Sequence, residues 1–122
     1  MRIGVCDRNE MAVRQLVGWI TRYCESCAIE PEIGGYINCD DMILAASIYR
    51  FDLFYISFDG PDGFLSARRV RDKEKTSKII LISDSAEYAL MGMRLHVIDY
   101  IVKPVAFEDI ARAMKRAGIG GA

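Results

Sequence analysis

The sequence predicts an α/β fold in which a parallel five-stranded sheet lies between two layers of helices. Short β-type runs alternate with amphipathic stretches from one end to the other, the pattern of strands joined by crossover helices. Three of those runs are continuously apolar rather than alternating, as strands covered on both faces are. No internal repeat, low-complexity stretch or linker interrupts the alternation, and 122 residues suit one core, so residues 1–122 are expected to form a single domain.

The first strand is read at "IGVC" (3–6). After it, Val13, Leu16, Val17, Ile20, Cys24 and Cys27 recur at three- and four-residue intervals and give a helix one buried face. A weaker strand, "IEPEI" (29–33), passes through Gly34-Gly35 to "NCDDMILAASI", where Asn38, three residues before Asp41, predicts the cap of a short helix. Next come a strand at "LFYI" (53–56), a charged helix near 64–75, a strand at "KIILI" (78–82), a helix near 85–95 and a strand at "VIDYIV" (97–102). In the last helix Phe107, Ile110, Ala111, Met114 and Ala117 share a face. Right-handed crossovers between five such strands lead to the flavodoxin-like doubly wound sandwich, strand order 2-1-3-4-5.

The 16 basic and 17 acidic side chains nearly cancel, which argues against a mainly electrostatic hold on nucleic acid or membrane. The basic stretch "ARRVRDKEKTSK" (67–78) is interrupted by Asp72 and Glu74 and reads as a solvated helix with its exit loop, not a nucleic-acid surface. No secretory signal and no apolar run of membrane-spanning length is present in the sequence, so a cytoplasmic location is expected. Cys6, Cys24, Cys27 and Cys39 are then expected to be reduced, and the Cys24-x-x-Cys27 spacing, late in a helix with no second pair, reads as small hydrophobes and not as a redox or zinc motif.

In a sheet of this order the functional crevice lies beyond the carboxyl ends of the strands. That singles out Cys6-Asp7-Arg8, Ser57 to Gly63, Ser83-Asp84 and Lys103-Pro104. Along essentially the whole chain these residues resemble the receiver domains of two-component response regulators, the CheY-like family. "VCDRNE" falls at the acidic pair after the first strand, "FDLFYIS" at the strand ending in the phospho-accepting aspartate, and "DYIVKP" at the aromatic before Lys-Pro. "VCD", "SAEYAL" and "IDYIVKPV" are most similar to receivers that precede a LytTR-type DNA-binding domain. The resemblance implies a first acid at Asp7, a phosphate-contacting lysine at Lys103, a switch hydroxyl at Ser83 and a switch aromatic at Tyr100.

Two positions depart from the family. Arg8 stands at the second acid and Ser57 at the acceptor, with Pro61 four residues after it as in the family and a shortened loop beyond. Taken alone, Asp7, Arg8, Ser57 and Lys103 carry a surplus positive charge, which predicts neither the usual divalent-metal site nor Asp-type phosphotransfer. A serine hydroxyl needs a general base to attack, and the one histidine, His96, precedes the last strand at the opposite edge. Arg8 is expected to stand in for the missing cation by pairing with Asp7, or with Lys103 to contact an anion. Asp59 and Asp62 are expected to turn the chain and cap the third helix, with a displaced acceptor at Asp59 as the alternative.

Flavin and other cofactors are not expected, because the turn after the first strand lacks a phosphate-cradling Gly/Ser/Thr run. The resulting expectation is a regulatory, non-enzymatic, receiver-like domain acting by protein contact on an output such as a LytTR domain, with an anion-binding flavodoxin-like module as the rival. The resemblance places the contact surface, for a second copy or another protein, on the fourth helix, fifth strand and fifth helix, about 85–117. There Tyr88, Leu90, Met91 and Met93 are more apolar side chains than one face can bury.

Overall fold

The computed structural model describes residues 1–121. Its strands are β1 (Arg2–Asp7), β2 (Glu32–Tyr36), β3 (Leu53–Ser57), β4 (Lys78–Ser83) and β5 (Asp99–Val102). The helices are α1 (Glu10–Ser26), α2 (Cys39–Ile48), α3 (Pro61–Lys73), α4 (Ala89–Arg94), preceded by a 3-10 turn at Ala86–Tyr88, and α5 (Phe107–Arg116). All pairings are parallel and the order is β2-β1-β3-β4-β5, the doubly wound sandwich that the alternation predicts.

The sheet separates two cores because successive side chains leave a strand on opposite faces. On one face Ile3, Val5, Leu53, Tyr55, Ile80 and Ile82 meet Leu16 and Ile20 of α1 and Ile110, Ala113 and Met114 of α5. On the other, Cys6, Phe54, Ile56, Ile79 and Leu81 meet Met42 of α2 and Ala67 and Val70 of α3. β3 has no exposed residue, which is why its sequence is a continuous apolar run. Asn38 caps α2 as anticipated, its Oδ1 accepting the Asp41 amide at 2.8 Å.

Several boundaries differ from the sequence-based expectation. β2 begins three residues later than the 29–33 reading and includes the Gly34-Gly35 pair. The expected strand stopped short of those glycines, yet Gly35 permits a close approach: a Cβ there would lie 2.7 Å from Val13 Cγ1 of α1. α3 starts at Pro61, not near 64, because proline at the first helical position gives up no needed N–H. Only Phe58, Asp59 and Gly60 therefore separate it from β3. β5 is trimmed to four residues. On the last helix Phe107 and Ala111 are only partly buried.

The four thiols are free; Cys6, Cys24 and Cys39 are buried and Cys27 is half-buried. Burial, followed by the neighbouring Cys39, pushes the Cys6 thiol up to about 12, so it packs as a hydrophobe. Within the basic stretch one residue is not a solvated charge. Arg71 turns inward and donates to the carbonyls of Leu95 at 2.9 Å and Ser77 at 2.6 Å, tying the loop before β4 to the end of α4. Burial lowers its guanidinium pKa. Among the described residues no helix is long and apolar enough to cross a membrane.

Candidate functional site

The register of the sheet builds the floor of the site. Asp7 lies opposite Ser57 across the β1–β3 ladder, so two strands end level and present their last side chains together. Both are buried, and the Ser57 hydroxyl donates to Asp7 Oδ2 at 2.7 Å. The other carboxylate oxygen accepts the Asn9 amide at 2.8 Å. Asn9 in turn caps α1, its Oδ1 accepting the amides of Met11 at 2.9 Å and Ala12 at 3.2 Å. One turn of chain thus fixes both the start of the helix and the aim of Asp7.

Lys103 closes the floor from β5. Its backbone amide donates to the Ser83 carbonyl at 2.8 Å, and the following peptide bond to Pro104 is cis. The ammonium sits 2.9 Å from Asp59 Oδ1 and 3.7 Å from Asp7 Oδ2. Asp59 is thus its contact partner and Asp7 a more distant neighbour.

Arg8 is placed differently from expectation. It does not pair with Asp7: its side chain is 71% exposed, forms an ion pair with Asp62 and lies 5.6 Å from the Phe58 ring centroid. The reason is the period of the strand, which turns Asp7 inward and its successor outward. Asp59 and Asp62 likewise do not cap α3, whose N-cap is Gly60 at φ +61 with no side-chain cap bond. With α3 starting early, the short loop brings both carboxylates onto the two cations instead. The crevice is therefore not positive on balance. Lys103 contacts Asp59 and has Asp7 at 3.7 Å, Arg8 pairs separately with Asp62, and Asp84 accepts the Gly60 amide, so neither cation is left to hold an anion unopposed.

At the far side of the loop the Gly60 amide donates to Asp84 Oδ1 at 3.0 Å. That bond, more than any other influence, holds the Asp84 carboxyl below the usual carboxylate range. Ser83 Oγ lies 3.3 Å from the same oxygen and accepts the Ser85 amide at 3.3 Å. The Tyr100 hydroxyl donates to the Ser85 carbonyl. Ser83 and Tyr100 therefore both bond to the turn between β4 and α4, and neither side chain is hydrogen-bonded to Ser57.

The donor set does not fit the divalent cation that the receiver resemblance implies. Both oxygens of Asp7 already accept hydrogen bonds, Arg8 stands where a second carboxylate is needed, and Ser57 offers a neutral hydroxyl. Among the described residues no group of three His, Cys, Asp or Glu side chains is arranged to hold a metal. No histidine reaches Ser57 to act as a base. Chemically, the site can exchange hydrogen bonds and ion pairs among its loops.

The sequence reading missed Asn9 as the residue that aims Asp7 and Asp84 as the anchor of the loop after β3. Asn9 carried a legible signal, a capping residue directly before an amphipathic run. Asp84 was marked only by its place after β4; its anchoring role carried no signal, since its partner is a backbone amide. At the other end of the surface Leu90 is 76%, Met93 66%, Met91 41% and Val102 43% exposed, while Tyr88 is half-buried.

No protein-family model matches the chain. The chain is 35% identical over 119 residues to the positive alginate biosynthesis regulatory protein of Pseudomonas aeruginosa, with 96% of this chain and 47% of that protein covered. It is 24% identical over 118 residues to the sensory transduction protein LytT of Bacillus subtilis, covering 95% of this chain and 47% of that one. The chain thus spans about half the length of the curated relatives it matches. Among solved structures, the response regulatory domain of protein mrkE from Klebsiella pneumoniae superposes with a TM-score of 0.79 over 97% of this chain and 95% of that one, at 20% identity.

Proposed function

Starting from a chain that belongs to the response-regulator receiver domains, CheY-like in fold and related to LytTR-type regulators, we propose that it is a pseudo-receiver: a domain that regulates by protein contact without accepting a phosphoryl group. The observation that carries this reading is Ser57. A buried hydroxyl, donating to Asp7 at 2.7 Å, occupies the strand end from which a carboxylate would attack. An alcohol must lose its proton before it attacks, whereas a carboxylate attacks as it stands; with only the weakly basic Asp7 carboxylate to take that proton, the hydroxyl is a poor substitute for an aspartate nucleophile.

Receiver domains act through protein–protein contact and often dimerise. The exposed Leu90, Met91, Met93 and Val102 support a contact surface on α4, β5 and α5, taken by a second copy or by an attached output. The relation to LytTR-type regulators supports a LytTR DNA-binding domain as that output, with this domain making no direct nucleic-acid contact.

The test is exposure of the full chain to acetyl phosphate, or to beryllofluoride, with Mg²⁺. Intact-mass measurement is expected to show no phosphoryl adduct and sedimentation no change in self-association. A mass gain of one phosphoryl group overturns the reading. One observation favours a second reading: Asp59, exposed and 2.9 Å from the Lys103 ammonium, as a displaced acceptor. Loss of such an adduct in Asp59→Asn would establish it.

A further inference from the structure

The loop between β3 and α3, together with the first turn of α3, is held at three points by three other segments. Asp59 contacts Lys103 at 2.9 Å beside β5, the Gly60 amide bonds Asp84 at 3.0 Å beyond β4, and Asp62 pairs with Arg8 beyond β1. Phe58, the residue between Ser57 and this strap, is buried, so the loop is pinned from below as well. Its left-handed Gly60, at φ +61, is what aims the amide at Asp84 while leaving Asp59 on the Lys103 side.

The Asp84 end of the strap leads on. Asp84 Oδ1 is also 3.3 Å from Ser83 Oγ, that hydroxyl accepts the Ser85 amide at 3.3 Å, and the Ser85 carbonyl accepts the Tyr100 hydroxyl. From Lys103 to Tyr100 the contacts are continuous, and they end on the strand that carries the exposed Val102. Charge is what starts the chain: Lys103 has a carboxylate in contact without any transferred group.

We propose that Asp59 is a built-in counter-charge for Lys103, and that the Asp59–Gly60 strap holds the turn after β4, and through it Tyr100, in one fixed setting. The proposal rests on the pseudo-receiver reading and names its regulation: the setting is made by a permanent side chain and is changed by whatever competes for Lys103 or Asp59. Asp62, in the first turn of α3, does not share this route, since its partner Arg8 is bonded to neither Asp84 nor Lys103.

Hydrogen–deuterium exchange of the full chain separates the two acids. Asp59→Asn, isosteric and neutral, and Lys103→Met are each expected to speed exchange in 58–63 and in 84–89 by about two- to fivefold, the scale of one partly exposed ion pair. Asp59→Glu, which keeps the charge, is expected to stay at the wild-type rate in 84–89, and so is Asp62→Asn. Unchanged exchange of 84–89 in Asp59→Asn overturns the proposal, as does equal acceleration there in Asp62→Asn, which would mean unspecific loosening of the loop. These outcomes can fail while no phosphoryl adduct forms, so the strap and the pseudo-receiver reading fall separately.

Discussion

Asp7 and Asp99 are both nearly buried carboxylates at strand ends, at 5% and 6% exposure, and they are held in opposite ways. Asp99, the first residue of β5, accepts from Arg112 at 3.0 Å and from Arg116 at 2.7 Å, both on α5, and from the Tyr100 amide at 2.9 Å. Asp7, the last residue of β1, is held by the Asn9 amide and the Ser57 hydroxyl, with its nearest cation at 3.7 Å. One carboxylate is neutralised by two guanidinium groups in direct contact, the other is solvated by dipoles. The first is committed to joining a helix to the sheet; the second keeps its charge facing the crevice. The difference separates an anchor from a site at positions that look alike in sequence.

Removing each carboxylate breaks or sharpens that contrast. The largest effect is expected for Asp99→Ala, which leaves the two arginines without their shared partner. A fully buried pair broken this way costs about 3–5 kcal/mol, and the partial exposure of Arg112 and Arg116, at 42% and 56%, reduces that to about 2–3 kcal/mol. Urea unfolding measures it. A loss below about 1 kcal/mol would mean that the clamp does not fasten α5, and the contrast would collapse.

Ser57→Asp probes the other carboxylate by placing a like charge against it. The one cation near Asp7, Lys103 at 3.7 Å, is already engaged by Asp59 at 2.9 Å, so a loss of about 1–2 kcal/mol in the absence of divalent cations is expected from the same unfolding experiment. Unchanged stability would show that the charge of Asp7 does not face Ser57. Asp7→Asn is milder, at about 1 kcal/mol, because the amide oxygen still accepts the Asn9 amide without charge assistance and the Ser57 hydroxyl can turn to accept from the new NH2 group. A loss as large as that of Asp99→Ala would erase the distinction from the other side.

The fold was legible where burial is two-sided. β3 and β4 are apolar without interruption because helices cover both faces, and that property alone places them at the centre of the sheet. β2 slipped by three residues because Gly34 and Gly35 signal a break locally while their real role, room for Val13 of α1, is set by packing across the sheet. The site divides the same way. Asp7, Ser57 and Lys103 could be placed because strand ends converge by topology. Who pairs with whom could not: Pro61 starts α3 early, and that single backbone choice carries Asp59 to Lys103 and Asp62 to Arg8. Arg71 was misread for a related cause, its carbonyl partners being invisible to charge patterning.

The smallest expected effect belongs to Arg8→Ala, and it is the sharpest test of where the charge of the crevice resides. Arg8 and Asp62 are 71% and 43% exposed, and an ion pair so open to water contributes under about 0.5 kcal/mol. The side chain points away from Asp7, so its removal is expected to leave both unfolding midpoint and the exchange of the Asn9 amide, which reports the Asp7 carboxylate directly, at wild-type values. A loss above about 1 kcal/mol, or faster exchange at Asn9, would mean that the guanidinium reaches Asp7 in solution. Asp7 would then be an ion-paired residue of the same kind as Asp99, and the reason for treating it as the centre of a site would be gone.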